Sequence, residues 1–227
     1  MKVVILAAGK GSRLGQGNLP KPLTVLASGL SILGSQIESL RQYTSVSQLM
    51  IVVGYHKEEI MEEFPDLLYV YNPDFSKENT SKSLLRALEK CDEDVLWMNG
   101  DVVFHFSVLG AVLEKSRTSM VVSVGRVGQE EVKYRQDQAG KILEVSKKVE
   151  HPQGEALGIN FIAKKDLNAF REQLRLCQPG DYFEQAMESC IVEGMEVWVV
   201  PVKAELCTEI DFPEDLERAN AMLNSWK

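Results

Sequence analysis

Short apolar runs alternate with amphipathic stretches along the first half of the chain. Residues 2–7 (KVVILA), 48–54 (QLMIVVG), 67–71 (LLYVY) and 95–98 (VLWM) are β-branched or large apolar runs, long enough for strands and too short for helices. Between them, residues 30–40 place Leu33, Ile37 and Leu40 at helical spacing, and residues 81–91 do the same with Leu84, Leu85 and Leu88. Residues 56–64 read as a short acidic helix, and Asn72-Pro73 as a turn. Strand and helix in alternation predict a parallel sheet with helices on both faces. A helix at 107–115 and a strand at 120–124 extend the pattern, which then changes. Residues 131–135 and 141–145 flank Gln138-Ala139-Gly140 as a hairpin would. A strand at 155–163, helices at 167–176 and 182–192, a strand at 195–201 and a helix at 212–223 complete the chain. A hairpin has no crossover helix, so the sheet is expected to become mixed. Ligands of such sheets bind at the carboxyl ends of the strands. That rule puts the segment after residue 7, the turn at 72–79 and the segment after Met98 on one edge.

The 227 residues fit one large domain, with no internal repeat, low-complexity tract or linker. With 44% hydrophobic and 26% charged residues the chain is globular. Its formal net charge of −8, without a basic stripe, argues against nucleic acid as a partner. No apolar run approaches the roughly 18 residues of a membrane span, and a secretory leader is not evident, so a cytoplasmic protein without a membrane partner is expected. Cys91, Cys177, Cys190 and Cys207 are widely spaced and read as free thiols. His56, His105 and His151 are equally scattered, which disfavours zinc. A metal, if used, should be a hard cation held by carboxylates and phosphate. Whether the chain forms a homodimer is left open.

The chemistry concentrates first in residues 8–23. The opening strand ends in Gly9, Gly11 and Gly15, interleaved with Lys10, Ser12 and Arg13, and Pro20-Lys21-Pro22-Leu23 closes the segment. Glycines let backbone N–H groups approach a phosphate, and Lys10, Arg13 and Lys21 supply countercharge. The spacing is not G-x-G-x-x-G, since Gly15 comes one residue late, and no G-K-[ST] closes a Walker loop. No acid follows the second strand at Val53-Gly54-Tyr55, so a nicotinamide-dependent dehydrogenase is disfavoured. The second concentration is a pair of aspartates. Asp101 follows the strand at 95–98 through Asn99-Gly100, and Asp211 follows Ile210 far along the chain. Two carboxylates from separate elements suit Mg²⁺, which takes one or two of them with substrate phosphate oxygens. Both positions also have plainer readings. Asn99-Gly100-Asp101 is turn chemistry, and Asp211-Phe212-Pro213-Glu214 is a helix-capping box.

L-A-A-G-x-G-[ST]-R-L-G followed by P-K-P-L resembles the signature of nucleotidyltransferases that activate sugar phosphates and phospho-alcohols. The compact spacing is most similar to the inositol-1-phosphate, phosphocholine and phosphonate cytidylyltransferase branch. The resemblance implies an α/β fold, Rossmann-like and three-layered, the nucleotide-diphospho-sugar transferase fold with a mostly parallel mixed central sheet. It implies a nucleotide half to about residue 124 and an acceptor half after it. The implied partners are a nucleoside triphosphate, CTP first, and a small phosphorylated acceptor, with UTP or dTTP and a sugar 1-phosphate as the runner-up. Leu6, Ala7, Ala8, Gly9, Lys10, Gly11, Ser12, Arg13, Lys21, Asn79, Ser83 and Gly100 then fall on nucleotide-binding positions. Arg13 would grip the β- and γ-phosphates, Lys21 the transferring α-phosphoryl group, and Asp101 and Asp211 would hold Mg²⁺. Lys147, a better match than Lys148, and Glu155 fall where the acceptor is met. A nucleotide-binding regulatory subunit without activity would be expected to have lost Arg13, Lys21 or an aspartate; all are present.

Overall fold

Val3, Val4 and Ile5 are fully buried, with Leu6 and Ala7 nearly so. A strand hidden on both faces belongs in the middle of a sheet covered on both sides. That is where β1 (Lys2–Ala7) lies in the computed structural model, which describes residues 1–11, 14, 19–125, 127–128 and 130–226. β1 pairs in parallel with β2 (Leu49–Val53) on one side and β4 (Val95–Asn99) on the other, and β2 pairs in parallel with β3 (Leu68–Tyr71). β9 (Gly154–Ile162) runs antiparallel between β4 and β6 (Ser119–Val124), and β10 (Trp198–Val202) closes the edge parallel to β6. The order is β10-β6-β9-β4-β1-β2-β3. Along that order the sheet is parallel except for β9, the one reversed strand. The hairpin of β7 (Lys133–Gln136) and β8 (Ile142–Ser146) hangs from β9 through β7. The sheet runs without a break across residue 124.

Helices cover both faces. α1 (Ile32–Leu40), α2 (Lys57–Glu63) and α4 (Ser107–Lys115) pack Leu33, Ile37, Ile60, Leu109 and Val112 against Ile5, Ile51 and Leu96. α3 (Thr80–Leu88), α5 (Lys164–Leu176) and α6 (Phe183–Val192) pack on the other face, around Trp97. The result is the three-layer α/β arrangement. The four cysteines are free, and no described helix is long and apolar enough to cross a membrane.

Two strands escape the apolar pattern. β5 (Val102–Phe104) and β11 (Cys207–Glu209) form a separate antiparallel ribbon, each only three residues long. α7 (Pro213–Ser225) packs behind it, with Leu26, Ile32, Val103, Ile210 and Ala219 as a third small core. This ribbon carries the function-bearing consequence: Ile210 N donates to Asp101 O at 3.0 Å, which ties the two aspartate segments together. α7 also starts differently from the expected box. Asp215, not Glu214, is the reciprocal acid: its Oδ2 accepts from the backbone N–H of Asp211 (2.9 Å) and Phe212 (2.8 Å).

Trp97 is fully buried, stacked on Phe170 (centroids 5.3 Å apart) and edge-on to Phe183 (5.6 Å). It fills the space between the sheet and two helices, so Trp97→Ala is expected to lower stability by about 3–5 kcal/mol. Denaturant unfolding followed by circular dichroism measures this; a loss under about 1 kcal/mol would show that the face is not packed as described.

Candidate active site

A cleft of about 890 Å³ opens at the carboxyl ends of β1 and β4 and is lined by both halves of the chain. Its floor is set by backbone. β1 ends at Ala7, where Gly9 leaves open space and Gly11 adopts φ +60°. A Cβ on Gly11 would lie 2.4 Å from Lys21 Cβ, so only glycine lets the loop close over that lysine. Gly100 donates to Leu6 O at 2.9 Å, and a Cβ there would meet the same oxygen at 2.7 Å. The turn that follows is clamped from α1: Gln36 Nε2 donates to Asn99 O and Val102 O, both at 2.9 Å. Gln36 is itself buried, so the turn carrying Asp101 is held rigidly from behind.

Lys21 begins a short 3₁₀ turn (Lys21–Leu23) and is only 9% exposed. Its Nζ donates to Asp101 Oδ2 and to Asp211 Oδ1, each at 2.7 Å. Burial pulls the ammonium pKa down, but the two carboxylates outweigh it and hold the group above its ordinary value. The two aspartates, 110 positions apart, therefore meet on one cation. Asp101 Oδ1 is buried and has no partner among the described residues. A hard cation with phosphate oxygens in its remaining positions fits this donor set, since two carboxylates supply only part of an octahedral shell.

The structure sorts the other sequence candidates. Leu6, Ala7, Gly9, Lys10, Gly11, Asn79 and Gly100 line the cleft. Lys10 Nζ lies 5.8 Å from the Tyr55 ring centroid. Asn79 is the N-cap of α3, its side chain accepting from Thr80 N at 2.8 Å, and still borders the cleft. Ala8 and Ser83 are not among the lining residues: Ala8 O accepts from Tyr55 N, and Ser83 Oγ is buried against Asn72 Nδ2 at 3.0 Å. Ser12 and Arg13 lie outside the described residues. Lys147 lines the cleft and Lys148 does not; Lys147 Nζ is 3.6 Å from Glu130 and 5.1 Å from the Tyr182 ring centroid. Glu155 also lines it, and burial, with Glu131 nearby, pushes its carboxyl up to about 7.

Further acidic and basic groups reach the cleft unforeseen, among them Glu209, Glu184 and Arg218. Glu209 accepts from Asn99 Nδ2 at 3.3 Å, which accounts for a polar residue at the end of β4. Its pKa is raised by burial and then by Asp101, Glu155, Glu184 and Asp211. In an extended segment, positions 209 and 211 share a face, so the alternation Glu-Ile-Asp carries that signal. Glu184 sits on α6 among the buried Phe183, Ala186 and Met187, an acid on an otherwise apolar face. Its carboxyl is pushed up to about 7 by burial. Arg218 joins from α7, paired with Asp215 at 2.9 Å.

Residues 3–165 match the MobA-like NTP transferase domain family. The sequence is 30% identical over 249 aligned residues to CMP-5'-(3-aminopropyl)phosphonate synthase of Streptomyces rubellomurinus, covering 97% of this chain and 38% of that protein. It is 28% identical over 241 residues to UTP–glucose-1-phosphate uridylyltransferase of Haloferax volcanii, covering 98% of this chain and 96% of that one. The fold matches CTP:phosphocholine cytidylyltransferase from Streptococcus pneumoniae with a TM-score of 0.81 at 20% identity, over 98% of both chains. The chain thus spans under two fifths of the phosphonate synthase but nearly all of the uridylyltransferase.

Glu184 gives a pH test. Its folded pKa of about 7 exceeds the ordinary 4.5, so the native state keeps a proton that the unfolded chain has released. Its contribution to stability therefore falls as pH rises from about 4.5 to about 7, and is level beyond. Glu184→Gln removes that loss. Its melting temperature should exceed that of the wild type at pH 8, with the gain vanishing by pH 5; an offset equal at both pH values would contradict the burial of an ionisable acid here.

Proposed function

Because this chain belongs to the MobA-like NTP transferase family, we propose that it transfers a nucleotidyl group from CTP to a small phosphorylated alcohol, polyol or sugar, giving a CDP-linked product and pyrophosphate. The observation that carries the reading is Lys21 held between Asp101 and Asp211 at the end of β1 and β4. The activities of the phosphonate synthase and of the phosphocholine enzyme support a cytidylyl donor.

In the proposed reaction an acceptor phosphate oxygen attacks the α-phosphorus, and the bond to the β-phosphate oxygen breaks. Both reactants are anionic, so the barrier is dominated by charge repulsion and positioning. A phosphate monoester is already ionised near neutral pH, so no general base is required. Backbone N–H groups of the loop at Gly9 and Gly11 face the triphosphate. Lys21 stands beside the transferring group and offsets the charge that builds on it. Lys147 meets the acceptor phosphate, and Asn79 the nucleotide. Arg13, on the signature position, is assigned to the leaving pyrophosphate. Asp101 and Asp211 would hold Mg²⁺, which when bound supplies Lewis-acid neutralisation of phosphate oxygens. The second reading, UTP with a sugar 1-phosphate, is favoured by the near-complete overlap with the uridylyltransferase.

Purified protein with Mg²⁺, each of CTP, UTP, GTP and ATP, and a panel of phosphorylated acceptors tests the reading through pyrophosphate release. CTP should give the fastest release; no release from any pair would overturn the proposal, and release with UTP alone would select the second reading. Lys21→Ala should lower kcat by about 100-fold or more with nucleotide Kd changed far less, as expected for a group acting on the transition state. Asp101→Ala should abolish turnover, and near-normal rates would remove its assigned role.

A further inference from the structure

The connection between β3 and α3, residues 72–79, reaches the cleft at Asn79, yet the group that fixes it lies elsewhere. Arg86, in the last turn of α3 and 32% exposed, does not line the cleft; it borders a separate hollow beside Tyr69 and Tyr71 of β3. Its guanidinium holds three positions of the connection at once. Nε donates to Asn72 Oδ1 at 3.0 Å, and Nη2 donates to Asp74 Oδ2 at 3.0 Å and to Glu78 Oε2 at 2.9 Å. The planar fork of arginine reaches all three, whereas a lysine head is a single point. Asn72 is fully buried and completes the tie: its Nδ2 donates to Ser83 Oγ at 3.0 Å, and its Oδ1 also accepts from Asp74 N at 2.9 Å. Within the connection, Lys77 N and Glu78 N both donate to Asp74 O, so the segment is folded on itself and bound to α3.

Two arms run from this tie to the site. One passes through Phe75, whose Cβ would lie 2.6 Å from a Cβ on Gly54 and whose ring stands edge-on to Tyr55 at 6.3 Å. Tyr55 N donates to Ala8 O at 3.0 Å, just beyond β1, and Lys10 Nζ lies 5.8 Å from the Tyr55 ring centroid. The other arm passes through Glu78 to Asn79, whose backbone N–H donates to Pro179 O at 2.7 Å. Eight residues outside helix and strand carry conformational entropy that must be lost before Asn79 can meet a ligand. We propose that Arg86 is a positioning residue for the nucleotide: by tying residues 72, 74 and 78 to α3, it sets Asn79 and Tyr55 in place before the nucleotide arrives. This rests on the transferase reading above and adds a residue to that site. Arg86 stands outside the cleft, so it acts through the connection. Ala, Lys and Arg differ little in helix propensity, so replacing it spares α3 and the effect falls on the connection. When only a fraction of molecules holds the binding arrangement, the apparent Kd rises by the inverse of that fraction.

Hydrogen exchange of the full chain without ligand, read by mass spectrometry, compares the wild type with Arg86→Ala and Arg86→Lys. Exchange across residues 73–79 should quicken about tenfold or more in Arg86→Ala, with β1 and β4 unchanged. Calorimetric titration with CTP and with UTP, read on the tighter of the two, should give a Kd about tenfold weaker for Arg86→Ala. Arg86→Lys keeps the charge and loses the Asn72 bond, and should return to within about threefold of the wild type. In turnover, KM for the nucleotide should follow Kd while kcat falls less than about threefold, a split that loss of folded protein does not produce. Unchanged exchange, faster exchange with an unchanged Kd, or a fall in kcat with KM unaltered would overturn the inference. Nucleotide binding that weakens as described, without pyrophosphate release, leaves this inference standing and overturns the transferase reading. Release with equal Kd in all three proteins does the reverse, and absence of binding to either nucleotide overturns both.

Discussion

Lys21 Nζ lies 2.7 Å from Asp101 Oδ2 and 2.7 Å from Asp211 Oδ1, in a position where the side chain is 9% exposed. A lysine so buried needs countercharge, and two carboxylates so close need a cation. Each of the three groups is therefore a condition for the other two. The fold supplies them from three places: a 3₁₀ turn after the glycine loop, the turn beyond β4, and the end of the β11 ribbon strand. Most of the architecture near the cleft can be understood as holding those three segments in register. Gln36 grips the Asp101 turn from α1, Ile210 N bonds Asp101 O across the ribbon, and Asp215 fixes the backbone at Asp211.

The same arrangement explains why the cleft can be acidic and still be assigned to phosphate chemistry. Under the proposed reaction, backbone N–H groups at the glycine loop and a few placed cations would act on the phosphates locally, while Glu155, Glu184 and Glu209 line the same cleft from β9, α6 and β11. Glu155 and Glu184, both pushed up to about 7 chiefly by burial, line the cleft from β9 and α6, with Arg218 and Lys147 nearby.

Much of this was legible in the sequence because burial on both faces leaves unbroken apolar runs. β1, β2, β3 and β4 are such runs, and the loops after β1, β3 and β4 line the cleft, as the topology rule for parallel sheets leads one to expect. Lys21, Asp101 and Asp211 were identifiable as chemistry, and the resemblance set both aspartates on one cation, but the elements that join them were not legible. Their meeting depends on β5 and β11, three residues each, too short to show a period. At Ser83, a helix start, the motif gives the residue but not the face, and the hydroxyl accepts from Asn72 Nδ2. Glu184 and Gln36 were missed because a single polar residue inside an apolar helix pattern carries no spacing, and only the fold shows what it faces.

The central claim is that Asp101 and Asp211 form one cation site, satisfied internally by Lys21 in the free protein. Manganese titration followed by electron paramagnetic resonance, on the wild type and on Lys21→Met without nucleotide, tests it directly. With the ammonium gone and its stem volume kept, Mn²⁺ should bind about tenfold tighter or more, and Asp101→Asn in the same background should erase the gain. Equal affinity in the wild type and Lys21→Met would mean that the two aspartates do not act as a shared site, and the account would fail at its root.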